Sequence, residues 1–365
     1  MQSQAIAHID LAALKHNFLR VKQLAPNSRV MSVIKARAYG HGAIQAAEAL
    51  VDSDAFAVAR LEEGIELRLA GIVQPIVVLE GVMTNEELQA AADYSLSPVF
   101  HHVSQLELLL STDLNKALSF CWLMVETGMH RLGFPQEQLS DALEILNISP
   151  NIIGEVGLMS HFANSDIIGD PRNQQQLDVL KQCSDAYKLP TSMANSAAIF
   201  SLAESHGGWV RPGIMLYGAS PFSDQTADDL DLKPVMRLTS VITAIQDLKA
   251  GDEVGYGGDW QANQRCRVGI VSIGYGDGYS RQLSNTGAVI IHNTKVAVVG
   301  RISMDMIIID LSDVAANVDI GDEVILWGDA QLSVDEIAQQ ANTISYELLC
   351  HLNERVKRIY HYGEN

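Results

Sequence analysis

From Arg29 onward, short apolar runs alternate with longer stretches of helical period. The strand-like runs are VMSVIKA (30–36), AFAVA (55–59), PIVVLE (75–80), SPVF (97–100), FCWLMVE (120–126), GLMSHF (157–162), TSMANS (191–196) and WVRPGIMLYG (209–218). Between them, stretches such as AIQAAEALV, RLEEGIELRLA, TNEELQAAADY and RNQQQLDVLKQCSDAY carry apolar residues at amphipathic-helix spacing. Eight such repeats are what a TIM-like (β/α)8 barrel requires. A doubly wound open sheet also alternates, but eight strands over this length favour closure.

After Leu232 the texture changes. RLTSVITAI, RVGIVSI, GAVIIHN, KVAVVG, MIIIDLS and EVILWG read as strands joined by Gly, Asp and Asn turns. One helical pattern follows, SVDEIAQQANTISYELLCHLN, opened by Ser333 with Glu336 three residues on, the spacing of a capping box. RVKRIYH closes the chain as a further strand. The division is therefore a barrel over 1–232 and a mostly β domain over 233–365, with Pro234 at the junction.

Composition narrows the function. The chain has 365 residues, 47% of them hydrophobic, with 25 Lys and Arg against 44 Asp and Glu, a net charge of −19. An acidic surface without a basic stripe argues against nucleic acid as the main partner. No apolar run is long enough to cross a membrane, and the N-terminal stretch MQSQAIAHIDLAALKHN is too polar for a signal peptide. Cys121, Cys183, Cys266 and Cys350 are far apart, without a CxxC pair, and read as reduced thiols of a cytoplasmic protein. Neither HExxH nor GxxxxGK[ST] occurs.

In a barrel, chemistry gathers where strands end and βα loops begin. The first strand ends at Lys35, followed by Ala-Arg-Ala-Tyr-Gly-His-Gly. Taken alone, Lys35 reads first as a strand-end lysine reaching solvent. Its second reading is an amine depressed by burial and able to form a Schiff base. Other bland readings also stand: Tyr39 as a turn aromatic, His161 as a core histidine, Met304 as a core filler and Asp305 as a turn acceptor.

Eight motifs taken in order change the weighing: KARAYGHG (35–42), ETGMHRLGF (126–134), GLMSHFA (157–163), ANSAA (194–198), VRPGIMLYG (210–218), IGYGDGY (273–279), GRISMD (300–305) and SYELLC (345–350). Together they resemble the alanine racemases along nearly the whole chain. The resemblance implies pyridoxal 5'-phosphate on Lys35, which is also one of two catalytic bases. It implies Tyr275 as the second base, reaching the opposite face across a homodimer interface. Arg211 matches the donor to the pyridine nitrogen. Tyr39, Ser196, Gly213, Ile214 and Tyr346 match the phosphate cradle, Asn195 is a neighbour of the cofactor, and His161 matches the histidine supporting Tyr275 and Arg211. Arg131, Met304 and Asp305 match groups around the substrate.

The chemistry suits this cast. A carbanion left by loss of an α-proton is delocalised into a conjugated cofactor ring, and racemisation needs proton exchange on both faces. Ionising a tyrosine at pH 7 costs about 4 kcal/mol from its reference pKa, so a neighbouring histidine or arginine has a purpose. No metal is implied. The implied role is supply of D-alanine for peptidoglycan; a serine or broader amino-acid racemase and a noncatalytic carrier of the cofactor are the alternatives.

Two positions depart from the family pattern. Arg37 stands where most members have asparagine; it either lowers the pKa of Lys35 or meets the second domain. Met124 stands where many members have a carbamylated lysine that orients the arginine matching Arg131. A thioether carries no charge, so either a bound chloride or a neighbouring carboxylate serves instead, or Arg131 is less constrained and substrate binding is looser.

Overall fold

The computed structural model describes residues 4–363. Strand β1 (Ile6–Asp10) leads directly into the helix Leu11–Leu24, whose N-terminus is capped by Asp10 accepting from the Ala12 and Ala13 N–H groups at 2.8 and 2.9 Å. Eight parallel strands then close into a barrel: β2 (Arg29–Val33), β3 (Ala55–Val58), β4 (Ile76–Val78), β5 (Leu96–Phe100), β6 (Leu118–Met124), β7 (Ile152–Met159), β8 (Thr191–Ser192) and β9 (Trp209–Val210). Closure is made by β9 on β2, with Trp209 opposite Arg29 and Val210 opposite Val30. Each apolar run expected to be a barrel strand overlaps one, although β6 and β7 begin two and five residues before their runs.

Two of those strands, β8 and β9, keep only two residues of their runs. After Val210, Pro212 supplies no N–H for a ladder and residues 214–217 coil into a tight turn. After Ser192 the chain leaves the barrel wall, and Asn195 caps a short helix, Ser196–Ser201. Both interruptions put polar side chains at the strand ends.

The second unit is built on β10 (Met236–Leu248), a 13-residue strand long enough to serve two groups of partners. Its first half lies between β1 and β17 (Glu323–Trp327). The small pair β11 (Glu253–Val254) and β12 (Trp260–Gln261) follows. The second half of β10 then pairs with β13 (Cys266–Val271) past a register shift near Ile242. β14 (Ala288–Ile291) joins β15 (Thr294–Ala297) and β17, β16 (Ile307–Asp310) joins β13, and β18 (Lys357–His361) runs parallel to β1.

β1 thus belongs to the second sheet although it precedes the barrel in the chain. Asn17, fully buried, ties the junction. Its amide donates to the Leu216 and Lys233 carbonyls at 3.0 and 2.8 Å and its oxygen accepts from the Lys233 N–H at 2.8 Å.

The single helical pattern read over 333–353 is two helices, Val334–Gln340 and Ser345–His351. Asn342 breaks it with φ +52°, a conformation asparagine tolerates well. The Ser333 hydroxyl accepts from the Glu336 N–H at 3.1 Å, but the Glu336 carboxylate turns to Lys295 at 2.8 Å, so the expected capping box is half formed.

Inside the barrel, Trp122 is fully buried and lies against Gly157, where an added Cβ would sit 2.5 Å from the indole ring. Gly157→Ala is expected to destabilise the fold by about 1–3 kcal/mol through overpacking, measured by urea unfolding. An unchanged midpoint would show that the indole moves freely.

Candidate active site

A cavity of 530 Å³ opens at the carboxyl ends of the barrel strands. It is lined by Lys35, Tyr39, Met124, Arg131, His161, Asn195, Ser196, Arg211, Gly213 and Ile214 from the barrel, and by Tyr346 and Cys350 from helix Ser345–His351. Ten of the thirteen residues singled out in the sequence therefore meet at one place.

Lys35 sits just beyond β2, where the backbone does something unusual. Ala36, Arg37, Ala38 and Tyr39 all adopt left-handed conformations, with φ of 50, 56, 54 and 51°, and Gly40 follows at 83°. Four consecutive non-glycine residues in this region cost about 1–2 kcal/mol each. Such strain persists only where the surroundings over-determine it. Glu63 accepts from the Ala36 N–H at 2.6 Å, and Arg358 of β18 donates to the Gly40 carbonyl at 3.0 Å. Gly40 is glycine of necessity, because a Cβ there would meet the Leu349 carbonyl oxygen at 2.1 Å. The result projects Lys35 and Tyr39 into the same cavity.

Burial, followed by Arg131, holds the Lys35 amine below the usual lysine range, while Glu63 and Glu80 oppose that shift. Arg37 is not among the causes. Its guanidinium forms an ion pair with Glu354 instead, so of its two expected roles it takes the one facing the second domain.

Arg211 is almost wholly buried. It donates from Nη1 to the Ser192 hydroxyl at 2.8 Å, and from Nη2 to the Ser160 carbonyl at 2.5 Å and His161 Nδ1 at 3.1 Å. Because Nδ1 accepts, the remaining proton of the neutral imidazole is on Nε2. Burial, then Arg211, Arg131 and Lys35, push the His161 pKa down to about 3; burial and Arg131 bring Arg211 to about 10. A neutral histidine beside a charged arginine is the stable arrangement here.

Opposite these groups, the Ser196 hydroxyl accepts from the Gly213 and Met215 N–H groups at 2.9 and 3.3 Å, joining the loops after β8 and β9. A Cβ on Gly213 would come within 2.7 Å of the Tyr39 hydroxyl, so the cradle depends on glycine. Asn195 lines the cavity, but its side-chain oxygen is committed, accepting from the Ala198 N–H at 3.1 Å and the Ser165 hydroxyl at 2.8 Å.

Arg131 has no ion pair or hydrogen bond with any described residue. Met124, buried beside it, offers none. The nearby carboxylate of Glu126 is taken by its own loop, accepting from the Gly128 and His130 N–H groups. The neighbouring carboxylate expected to replace the carbamate is therefore not found among the described residues.

Tyr275, Met304 and Asp305 lie elsewhere, together on the second unit. The Tyr275 and Gly276 N–H groups donate to the Ser303 and Met304 carbonyls at 3.1 and 2.8 Å, and Arg355 links Asp305 at 2.7 Å to Asp277 at 3.3 Å. Tyr275 is 44% exposed and Met304 53%. None of the three lines the cavity of its own chain. Sequence reasoning passed over Glu63, Glu80, Cys350 and Arg358, whose positions depend on contacts between distant segments.

Free histidines titrate near 6.5, whereas His161 stays neutral down to about pH 3 and His41, buried behind Tyr39, to about pH 4. Between about pH 6.5 and those values the unfolded chain binds more protons, so stability falls as pH drops through that window. His161→Gln is expected to flatten the slope of unfolding free energy by about 1.4 kcal/mol per pH unit between about pH 6.5 and 5. Urea titrations of the cofactor-free protein test this, and an identical slope would contradict it.

The comparisons with known proteins agree with the geometry. Residues 9–221 match the alanine racemase N-terminal domain and residues 235–360 the alanine racemase C-terminal domain. The chain is 43% identical over 352 residues to alanine racemase of Aeromonas hydrophila, covering 96% of this chain and 98% of that one. It superposes on the biosynthetic alanine racemase of Pseudomonas aeruginosa with a TM-score of 0.93 at 39% identity, covering 99% and 100% of the two chains. Alanine racemase of Bartonella henselae, solved with covalently bound pyridoxal phosphate, gives 0.87 at 31% identity, covering 98% and 100%. With the barrel, the lysine at its mouth and both domains matched end to end, the chain belongs to the alanine racemase family, isomerases that interconvert the enantiomers of alanine.

Proposed function

We propose that this chain racemises alanine with pyridoxal 5'-phosphate held on Lys35, using Lys35 and Tyr275 as bases on opposite faces of the substrate carbon. The observation that carries the reading is the cavity itself. Lys35, Arg211, the free hydroxyls of Tyr39 and Tyr346, and the Ser196–Gly213 cradle converge there, with Glu80 as the single lining carboxylate.

The residues fit the group. An amine depressed by burial suits a carbonyl partner. Ser196, Tyr39, Tyr346 and the glycine-permitted approach at Gly213 and Ile214 suit a phosphate. The Arg211 Nε–H has no acceptor among the described residues, and a guanidinium still charged at neutral pH suits a neutral ring nitrogen. When bound, the cofactor supplies the conjugation that draws off the electron pair left by the departing α-proton.

This chain's own residues do the rest. Lys35 takes or returns the proton on one face, helped by the neighbouring Arg131 that lowers its basicity. Tyr275 acts on the other face, with the neutral His161 and the charged Arg211, hydrogen-bonded to each other in the cavity wall, setting the local electrostatics. Arg131, without a protein anion, is free to bind the substrate carboxylate. A chloride ion beside Met124 is the proposed replacement for the missing negative charge. Met304 and Asp305 border the substrate.

Because Tyr275, Met304 and Asp305 stand off the cavity of their own chain, the reading requires a homodimer in which each supplies the other's site. We place the activity in the cytoplasm, as a source of D-alanine for peptidoglycan; similarity to a biosynthetic alanine racemase of Pseudomonas aeruginosa supports the biosynthetic direction. No helix among the described residues is long and apolar enough to cross a membrane.

Two experiments follow. Mixing inactive Lys35→Ala and Tyr275→Phe proteins under subunit exchange is expected to restore about a quarter of wild-type activity, since half the dimers then carry one intact site of two. Activity staying at the level of the separate variants would refute a shared site. Second, alanine turnover is expected to rise in chloride relative to a bulky inert anion at equal ionic strength. Identical kinetics in both would remove chloride from the account.

A further inference from the structure

His41 lies in the core just after the left-handed turn, 1% exposed, and does not line the cavity. Its Nδ1 is 2.9 Å from the Ala38 carbonyl oxygen and 3.0 Å from that of Tyr39. Both partners only accept, so Nδ1 carries the proton and the ring donates to two carbonyls of the strained segment. Nε2 is buried without a partner, which leaves the neutral ring as the form that fits.

The ring is also stacked. Its centroid is 4.6 Å from that of Tyr217, and Tyr217 in turn is 4.7 Å from Tyr39. Tyr217 is anchored by its hydroxyl donating to the Val33 carbonyl at 2.8 Å, at the end of β2 and two residues before Lys35. The imidazole therefore links the backbone of the turn to the aromatic stack that sets the Tyr39 ring.

Backbone N–H groups serve the other carbonyls up to Arg37 and reach Ala38 as well: Ala36 accepts from the Gly40 N–H at 3.0 Å, Arg37 from the Gly42 N–H at 2.8 Å and Ala38 from the His41 N–H at 3.0 Å, while the Arg358 side chain serves Gly40. The Tyr39 carbonyl takes its hydrogen bond from the His41 ring.

We propose that His41 is a positioning residue: as a neutral Nδ1–H donor it fastens the left-handed turn and so fixes the Tyr39 hydroxyl relative to Lys35, tuning recognition of the cofactor phosphate. This rests on the reading of Lys35 and Tyr39 as cofactor ligands. It assigns His41 no contact with substrate or cofactor.

The test compares binding of pyridoxal 5'-phosphate with binding of pyridoxal, by visible absorbance titration of cofactor-free wild type, His41→Phe and His41→Asn. Phenylalanine keeps a stacking ring without the donor; asparagine keeps a short amide donor without the ring. The wild type is expected to prefer the phosphorylated form strongly. His41→Phe is expected to lose about tenfold of that preference, the scale of one hydrogen bond to a charged group. His41→Asn is expected to stay within about threefold of wild type.

Should His41→Phe fail to fold, His41→Leu against His41→Asn makes the same comparison between side chains of similar size. An unchanged preference in the donor-less variant, or equal loss in both variants, overturns the proposal. A wild type that does not prefer the phosphorylated form overturns the functional reading instead, so the two failures are distinguishable.

Discussion

Lys35, Arg131 and Arg211 face one cavity whose lining contains a single carboxylate, Glu80, and this imbalance of charge shapes the site. Burial and the neighbouring Arg131 lower both Lys35 and Arg211, and burial together with all three cations keeps His161 neutral. A protein leaves like charges together in low dielectric when a ligand of opposite charge completes the arrangement. A phosphate and a carboxylate do so. The absence of any protein anion at Arg131 extends the same argument to the mouth of the cavity, where Met124 provides bulk and no charge.

Placing these charges demands backbone strain, and the second domain helps to restrain it. Arg358 on β18 holds the Gly40 carbonyl, the Leu349 carbonyl presses on Gly40, and Tyr346 completes the lining. The half-buried Asp335 carboxylate accepts from the Ser220 N–H at 3.0 Å and from the Ser345 hydroxyl, tying helix Ser345–His351 to the segment that follows the barrel. The same domain displays Tyr275 outward on a loop braced by Arg355 between Asp277 and Asp305. One domain thus lines a cavity in its own chain while exposing the Tyr275 phenol away from it.

The barrel was legible because its strands are buried on both faces and read as continuous apolar runs, with helical spacing between them. β1 was not. IAHID is short, carries His8 and Asp10, and runs straight into a helix; its partners on β10 and β18 lie more than two hundred residues away. The split at Asn342 was hidden because apolar spacing continues on both sides of it. Lys35, Arg211 and the cradle residues were legible as motifs at strand ends. Glu63 and Arg358 act on backbone groups of distant segments, and His41 on carbonyls of its own turn, so residue type alone gave no sign of them. The Arg37 alternatives were settled by one contact with Glu354, which no local pattern foretells.

The central claim is that the strained turn after β2 presents one amine, and only that amine, to a carbonyl cofactor. Borohydride reduction of the protein saturated with pyridoxal 5'-phosphate, followed by peptide mapping, tests it most directly. The account predicts a single modified lysine, Lys35, at one equivalent per chain. Label spread over several lysines, or fixed on one outside the cavity, would contradict it.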